Sequence, residues 1–328
     1  MEELFDKIFY RAMQQHTTDI HLILKEELKI HFRILGQLQY YDDMDYDIGS
    51  RLMNYIKYKA SINTNFRLMP QTGQFVVVHH QRELYLRVSF LPSIDFESIV
   101  IRILNNHEPL SIHEITQLPD ILNFFQSVPF LTSGLILISG ATGSGKSTTL
   151  YTLLDEVIKS QKKNIITIED PIEMRKEDCL QIELNEKLGI TYEHTLKQIL
   201  RHDPDVIMIG EIRDTKTAQI AITCALTGHL VLTTIHASNA NLALKRLENL
   251  GVSKVDLEDV IVGSLSQRMK YDLNKKEVIV LSELMRKKDI YAYLENNEVT
   301  YTMFKDNARY LIENKHYDKQ LFEGELNE

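Results

Sequence analysis

Cysteine is scarce in this chain. Only Cys179 and Cys224 occur among its 328 residues, and they lie far apart and outside any C-x-x-C pair. Zinc sites and disulfide frameworks need cysteines at closer or repeated spacings. We therefore expect no zinc and no disulfide, and we interpret both thiols as small apolar side chains of the interior.

Basic residues are also in short supply. Lys and Arg number 37 against 46 Asp and Glu, which gives a formal net charge of −9. A protein that holds DNA regardless of base sequence normally carries a basic surplus, because phosphate neutralisation supplies its affinity. The balance therefore predicts no direct nucleic-acid binding, although a local basic strip is compatible with it.

A long uninterrupted apolar run is missing as well. Residues 1–6 are acidic and amphipathic, which is unlike a secretory signal. The most apolar long region, 220–237, is interrupted by a glycine and by polar residues, namely Thr223, Thr227, Gly228, His229, Thr233 and Thr234. Such a segment is a poor bilayer span, so the sequence predicts a cytoplasmic protein.

The composition is otherwise that of a globular protein long enough for two domains, with 44% hydrophobic and 25% charged residues. The first part predicts an α+β domain, with helices near 5–12 and 48–58 and strands at 28–34, 75–79, 83–90 and 98–104. The second part predicts an α/β domain with a parallel sheet, whose continuous apolar strands lie at 135–138, 165–168, 206–209 and 230–235. Residues 105–109 interrupt regular structure and predict a hinge. The predicted domains are 1–106 and 107–328, the second ending in a helical tail.

The strongest motif is a glycine-rich loop between an apolar strand and a helical pattern. It consists of Gly140, Ala141, Thr142, Gly143, Ser144, Gly145, Lys146 and Ser147, followed by Thr148. The pattern G-x-x-x-x-G-K-[ST] curls backbone N–H groups around phosphate oxygens at the positive end of a helix. Lys146 would neutralise the phosphates and Ser147 would ligate Mg²⁺. We therefore predict that this loop binds ATP.

Carboxylates follow two of the apolar strands. Glu211 lies at the carboxyl end of one, where doubly wound sheets bind ligands, and is a candidate Mg²⁺ ligand. It could instead be a carboxylate at the start of the next helix. Glu169 and Asp170 follow another strand, and Glu169 is the candidate that orients the attacking water. Asp170 has two equally supported interpretations, a catalytic carboxylate or a turn residue before Pro171.

Histidines and arginines supply further candidates. His236 follows the strand at 230–235 and could contact the γ-phosphate or bridge to the acidic groups, whereas a structural role is equally supported. His229 precedes the same strand and lies far from that edge. Arg87 and Arg102 each lie on the strand face opposite the apolar residues. Their spacing alone favours solvated strand arginines, although guanidinium groups also match phosphate geometry.

Several blocks together resemble the type II secretion and type IV pilus assembly ATPase family. The residues that carry the resemblance are Asp19-Ile20-His21, His31-Phe32-Arg33 with Gly36, and Arg67, Pro70, Gln71 and Gly73 in the first part. In the second part they are residues 169–173 (an aspartate box), 228–237 (a histidine box), Arg201 with 203–205 and 210–214 (a Walker B region), and Gln267-Arg268. The order of the blocks makes this match far more specific than the phosphate loop alone.

The resemblance implies a fold and an activity. It implies a RecA-like P-loop domain preceded by a PAS-like domain, a homo-hexameric ring, and ATP hydrolysis with Mg²⁺. Glu169 would polarise the attacking water, and Glu211 would help to hold Mg²⁺. Arg87 and Arg102 fall at positions that approach the phosphates, which reverses the interpretation from spacing alone. The protein would act at the inner face of the cell membrane on a polytopic platform protein.

The chain departs from the larger members of the family. Those carry an additional N-terminal domain and a zinc-binding tetracysteine, and we expect this chain to lack both. Its short form is similar to pilus retraction ATPases and to the competence-pilus ATPases of Gram-positive bacteria. Residues 290–328 show no clear counterpart of a retraction motor's C-terminal signature, so we favour assembly of a competence pseudopilus for DNA uptake. Retraction, or a nucleotide-gated scaffold with little hydrolysis, are the alternatives.

Overall fold

The chain divides into two compact units, Met1–Glu108 and Pro109–Glu328. The computed structural model describes residues 1–64, 68–79, 82–104, 110–160, 162–185, 188–272, 274–275, 277–295, 297, 299 and 301–327. The predicted hinge at 105–109 and Arg67 of the family pattern lie outside the described residues. Each unit has its own apolar core and is described separately.

In the described part of the first unit, a six-stranded antiparallel sheet packs against two helices. The strands are β1 (Asp19–Leu24), β2 (Glu27–Ile34), β3 (Gln37–Asp45), β4 (Gln71–His79), β5 (Arg82–Pro92) and β6 (Glu97–Leu104), and the helices are α1 (Glu2–Gln14) and α2 (Tyr46–Lys59). The strand order in the sheet is β3-β2-β1-β6-β5-β4. The helices and strands predicted in this part are confirmed.

The core of the first unit follows from two periodicities. Helix α1 buries Phe5, Ile8, Phe9 and Ala12, which lie on one face at helical spacing. The strands bury alternate residues, as β5 does with Leu84, Leu86, Val88 and Phe90. The residues between them on each strand point to the opposite face of the sheet.

The described part of the second unit contains a seven-stranded sheet. Its strands are β7 (Gly134–Ser139), β8 (Ile165–Glu169), β9 (Leu180–Glu183), β10 (Val206–Ile212), β11 (Leu230–Ile235), β12 (Ile261–Asp272) and β13 (Glu277–Arg286). The strand order in the sheet is β13-β12-β7-β11-β10-β8-β9. All neighbours are parallel except β12 and β13, which pair antiparallel. The four predicted parallel strands are confirmed as β7, β8, β10 and β11.

Helices cover both faces of this sheet. They are α3 (Ile112–Ile115), α4 (Pro119–Ser127), α5 (Lys146–Ser160), α6 (Tyr192–Ile199), α7 (Thr215–Leu226), α8 (Ala240–Asn249), α9 (Lys254–Val260), α10 (Lys287–Leu294), α11 (Phe304–Lys315) and α12 (Glu323–Leu326). In β7, Ile136 and Ile138 belong to one apolar cluster and Leu135 and Leu137 to the other. This two-sided burial explains why the strand is apolar throughout.

The parallel arrangement determines where the site lies. Strands β7, β8, β10 and β11 all point the same way, so their carboxyl ends meet at one edge of the sheet. The segments that leave this edge begin at Gly140, carry Glu169 and Glu211, and include His236. Ligands of doubly wound sheets bind at such an edge.

Candidate nucleotide-binding site

The glycine-rich loop joins β7 to α5 in a close-packed turn. Gly140 has a φ of +151°, and a Cβ at this position would lie 2.4 Å from the Ser144 Oγ and 2.5 Å from the Gln267 carbonyl oxygen. Gly145 has a φ of +84°, a conformation that side chains other than glycine rarely adopt. The sequence therefore needs glycine at both positions for the loop to close upon itself.

Lys146 begins helix α5 and folds back over the loop. Its Nζ donates to the carbonyl oxygens of Gly140 and Ala141 at 3.0 and 2.9 Å. Burial lowers the pKa of Lys146 below its ordinary value, although the negative charge of Glu211 opposes this shift. Two buried hydroxyls of the loop and the first turn of α5, Ser144 Oγ and Thr149 Oγ1, lack a hydrogen-bond partner among the described residues. A buried ammonium, glycine-lined backbone and unpartnered hydroxyls together fit a polyphosphate chain.

Glu211 lies in β10, and its carboxylate contacts a histidine and an arginine. Its Oε1 lies 3.0 Å from the His236 Nε2, and its Oε2 accepts from the Arg213 Nε at 3.0 Å. The following helix α7 begins at Thr215 and is capped by Asp214, whose carboxylate accepts from a backbone N–H in the first turn. The helix-terminus interpretation therefore fits Asp214, and Glu211 faces the site instead.

The two histidines have different surroundings. His236 Nδ1 lies 3.3 Å from the carbonyl oxygen of Gly140, so its ring bridges Glu211 and the start of the phosphate loop. His229 Nδ1 contacts the Cys224 carbonyl oxygen at 2.9 Å and the Thr227 hydroxyl at 3.0 Å. The bridging interpretation of His236 is supported by this geometry, whereas His229 closes the turn after α7.

Glu169, the last residue of β8, is buried with only 3% of its surface exposed. Its carboxylate accepts hydrogen bonds from the Thr167 hydroxyl at 2.6 Å, from the Gln181 amide at 3.2 Å and from the Tyr151 hydroxyl. Burial raises the pKa of Glu169 above the ordinary carboxyl range, although these three donors oppose the shift. A carboxylate with a raised pKa is a stronger base.

The neighbours of Glu169 connect it to Glu211. Strands β8 and β10 are paired in parallel up to Ile168 and Ile209, and a Cβ placed on Gly210 would lie in van der Waals contact with Glu169, 3.6 Å from its Cα. Asp170 follows in the turn before Pro171 and is exposed. Its carboxylate lies 3.3 Å from the Arg213 guanidinium, which also binds Glu211. Arg213 therefore links the carboxylates that follow the two strands.

Replacing Tyr151 by phenylalanine tests the buried network of Glu169. The Tyr151 hydroxyl donates to Glu169 and accepts from the Met174 N–H at 3.2 Å. The change would leave the buried Glu169 carboxylate and the partly buried Met174 N–H each short of a partner, so we expect a loss of about 1–3 kcal/mol in the free energy of unfolding, measured by urea denaturation. Tyr10→Phe is the matched control, since the Tyr10 side chain is 48% exposed. Equal stability of the two variants would contradict the network.

Arg87 and Arg102 belong to the first unit. They are directly paired across β5 and β6 and lie on the sheet face opposite the core. The Arg102 Nε donates to the Asp19 carboxylate at 2.8 Å, and Asp19 itself is buried. Arg102 is thus oriented by an ion pair, while Arg87 is exposed. The site described above is built from residues of the second unit alone.

Several residues that contact the site were not among the predicted site residues, namely Tyr151, Thr167, Gln181, Arg213 and Gln267. Tyr151 lies among the apolar positions of α5 and has the pattern of a core residue. Gln181 lies on the short strand β9, which the sequence did not predict. Arg213 and Gln267 belong to sequence blocks that carry the family resemblance, but the sequence assigned neither of them a role. Their contacts depend on chain segments that meet only in the folded unit.

Two further findings concern metals and membranes. Within the described ranges, no group of three or more His, Cys, Asp or Glu side chains could hold a metal ion. The assignment of Ser147 and Glu211 as Mg²⁺ ligands stays a prediction. Among the helices of the described residues, none has the length and apolar character needed to cross a bilayer.

A phosphate loop at the carboxyl edge of a parallel sheet, flanked by carboxylates from two neighbouring strands, defines a P-loop ATPase. Residues 1–309 match the family model for the type II/IV secretion system protein, and the chain belongs to this family. It is thus a nucleotide-binding, ATP-hydrolysing secretion ATPase, and the resemblance inferred from its sequence blocks is confirmed.

Two relatives agree with this assignment, and a solved structure shares the fold. The chain is 42% identical to the competence protein ComGA of Halalkalibacterium halodurans over 265 residues, which cover 80% of this chain and 76% of that protein. It is 38% identical to ComGA of Bacillus subtilis, covering 82% and 76% of the two chains. The structure of the ATPase DotB of Legionella pneumophila superposes with a TM-score of 0.79 at 19% identity, covering 99% and 95%. That similarity concerns the fold, and the predicted α/β class is confirmed.

Proposed function

We propose that this protein is the ATPase motor that assembles a competence pseudopilus for DNA uptake. The observation that carries the proposal is the placement of Glu169 and Glu211 at the ends of neighbouring strands, at the same sheet edge as the phosphate loop. The similarity to two competence proteins supports a role in competence over the roles of other members of the family. The motor would be a homo-hexamer that pushes on a polytopic membrane platform protein at the inner face of the membrane.

Substrate binding follows from the loop. Backbone N–H groups of residues 140–148 would hold the β- and γ-phosphates of ATP, and Lys146 would neutralise their charge. Ser147 and Glu211 would hold Mg²⁺, which supplies positive charge to the phosphate oxygens when bound. His236 fixes the Glu211 carboxylate from one side and Arg213 from the other.

Hydrolysis requires a base for the attacking water. Glu169 has the properties of such a base, because it is buried, its pKa is raised, and three donors orient its carboxylate. Arg87 and Arg102 of the first unit would add positive charge to the phosphates as the transition state forms.

Deletion of the gene in its native host, with complementation by variants, tests the proposal. We expect deletion to abolish both pseudopilus filaments and natural transformation, and the wild-type gene to restore them. The Glu211→Gln variant should restore neither, because it removes the metal-holding charge, while Glu177→Gln makes the same charge change at an exposed position and should restore both. Immunoblots would establish equal protein levels.

The same experiment separates the alternatives. Accumulation of filaments in the deletion strain would indicate a retraction motor, because filaments would then be built but not withdrawn. Full complementation by Glu211→Gln would indicate a scaffold that needs no hydrolysis. Normal transformation in the deletion strain would overturn the role in DNA uptake.

A further inference from the structure

Strand β12 extends past the end of its parallel neighbour β7. The last paired residues are Ser266 and Ser139, and Ser139 immediately precedes the phosphate loop. Residues 267–272 therefore form an overhang, which stays paired with β13 along its whole length. The overhang begins beside the point at which the phosphate loop leaves the sheet, and nothing in the ATPase mechanism above uses it.

The first residue of the overhang, Gln267, contacts the loop at several points. Its side chain is 1% exposed, and its Nε2 donates to the Ser144 carbonyl oxygen at 2.7 Å. Its own carbonyl packs against Gly140, where a Cβ would approach it to 2.5 Å. A Cβ on Gly145 would lie 3.2 Å from the Gln267 Nε2 and 3.1 Å from the Met269 Cε. The overhang therefore forms one wall of the loop.

The opposite side of the overhang is anchored to the C-terminal tail. Arg268 and Lys270, which alternate with Gln267 and Met269, form ion pairs of 3.2 and 2.9 Å with Glu325 of α12. The Glu325 side chain is 4% exposed. Burial opposes its ionisation, but the hydrogen bonds from Lys270 and Arg268 hold the pKa of Glu325 below its ordinary value. Because breaking a buried ion pair is costly, this anchor keeps the overhang in place.

The bond from Gln267 to Ser144 controls one peptide group of the loop. A peptide is planar and trans, so its C=O and N–H point in opposite directions. Holding the Ser144 carbonyl towards β12 therefore directs the N–H of Gly145 away from β12. Gly145 has a positive φ, and glycine allows the flanking peptide to rotate at little cost. The loop thus needs an external group to keep this N–H in one orientation.

We propose that Gln267 is a positioning residue that holds the phosphate loop in its ATP-binding conformation. The proposal rests on the proposed ATPase function and adds a residue to it. Gln267 acts on the nucleotide through the Ser144–Gly145 peptide, so its loss should weaken ATP binding more than it slows the chemical step. Glutamate has the same length but, when ionised, cannot donate to the Ser144 carbonyl.

The Gln267→Glu variant tests this role through the affinity for a fluorescent ATP analogue and through steady-state kinetics. We expect its affinity at neutral pH to be about 10-fold weaker, with KM raised by a similar factor and kcat changed less. Lowering the pH should restore part of the affinity relative to the wild type, because the protonated carboxyl group can donate to Ser144. Gln267→Met, which has no donor at any pH, should show the loss without the recovery.

Asn307→Asp is the matched control for a purely structural effect. Asn307 on α11 is also buried, and its Nδ2 donates to a backbone carbonyl, that of Ser282, at 2.7 Å. It should lose stability in urea yet keep wild-type affinity. Unchanged ATP-analogue affinity in both Gln267 variants would overturn this inference but not the proposed function. An equal loss of affinity in Asn307→Asp would do the same. Failure of the wild-type chain to bind the analogue would overturn the proposed function, and this inference with it.

Discussion

Replacing Glu169 by glutamine is expected to lower the turnover number for ATP by about 10²- to 10⁴-fold, the usual contribution of a positioned general base. Glutamine keeps the shape of the side chain but cannot accept a proton from water. Because Glu169 is held by Thr167, Gln181 and Tyr151 rather than by the phosphate loop, ATP affinity should change by less than about threefold. Phosphate release and binding of a fluorescent ATP analogue measure the two quantities separately.

The pH dependence gives a second readout for Glu169. A base must be ionised to work, and burial raises the pKa of Glu169, so kcat of the wild type should fall as the pH drops through that raised pKa. The Glu169→Gln variant should lose this acid limb. Glu177→Gln is the control, since Glu177 is exposed and makes the same change of charge. A wild-type turnover number in Glu169→Gln would show that another group activates the water.

Replacing Lys146 by alanine is expected to weaken ATP binding by about 10- to 100-fold, the range for hydrogen bonds to charged groups. Lys146 is 9% exposed, and burial lowers its pKa, so the ammonium group is held in a site that favours an anionic partner. The free energy of unfolding should change little, because the variant also removes the cost of burying a cation. Calorimetric titration with ATP measures the affinity.

A nearby exposed lysine supplies the control for Lys146. Lys162 lies just beyond the end of α5, so Lys162→Ala removes the same charge from the same unit without touching the loop. Its ATP affinity should equal that of the wild type. Equal weakening in both variants would mean that the net charge of the unit attracts ATP, and that Lys146 makes no specific contact with phosphate.

Much of the second unit could be predicted from local pattern. Strands buried on both faces are apolar at every position, as in β7, and α5 carries its apolar residues at one-face spacing. Among the described strands, β1, β3, β9, β12 and β13 were not predicted. Two of these have weak sequence patterns: β3 is exposed along most of its length and shows no alternation of buried and exposed residues, and β9 is short and polar. In both cases pairing with a neighbouring strand decides the structure.

The candidate site likewise has some members that local sequence predicts and others whose role depends on tertiary pairing. Its members on the phosphate loop and at the strand ends are recognisable because chemistry and position coincide within a few residues. Asp170 could be predicted either as a catalytic carboxylate or as a turn residue, and Arg87 and Arg102 either as phosphate contacts or as solvated strand residues. An isolated charged residue has the same sequence pattern in either role. In the folded chain Asp170 pairs with Arg213, which lies 43 residues away, and Arg102 pairs with Asp19 across 83 residues.

The sequence by itself determined the phosphate loop, the parallel strands that support it and the family, because each depends on residues that are neighbours in the chain. Tertiary structure alone decided which groups hold the candidate catalytic side chains. Gln267 reaches Ser144 across 123 residues, and Tyr151 reaches Glu169 across 18. A hydrogen bond depends on distance in space, which the chain sets only after strands β7, β8, β10 and β12 have come together in one sheet.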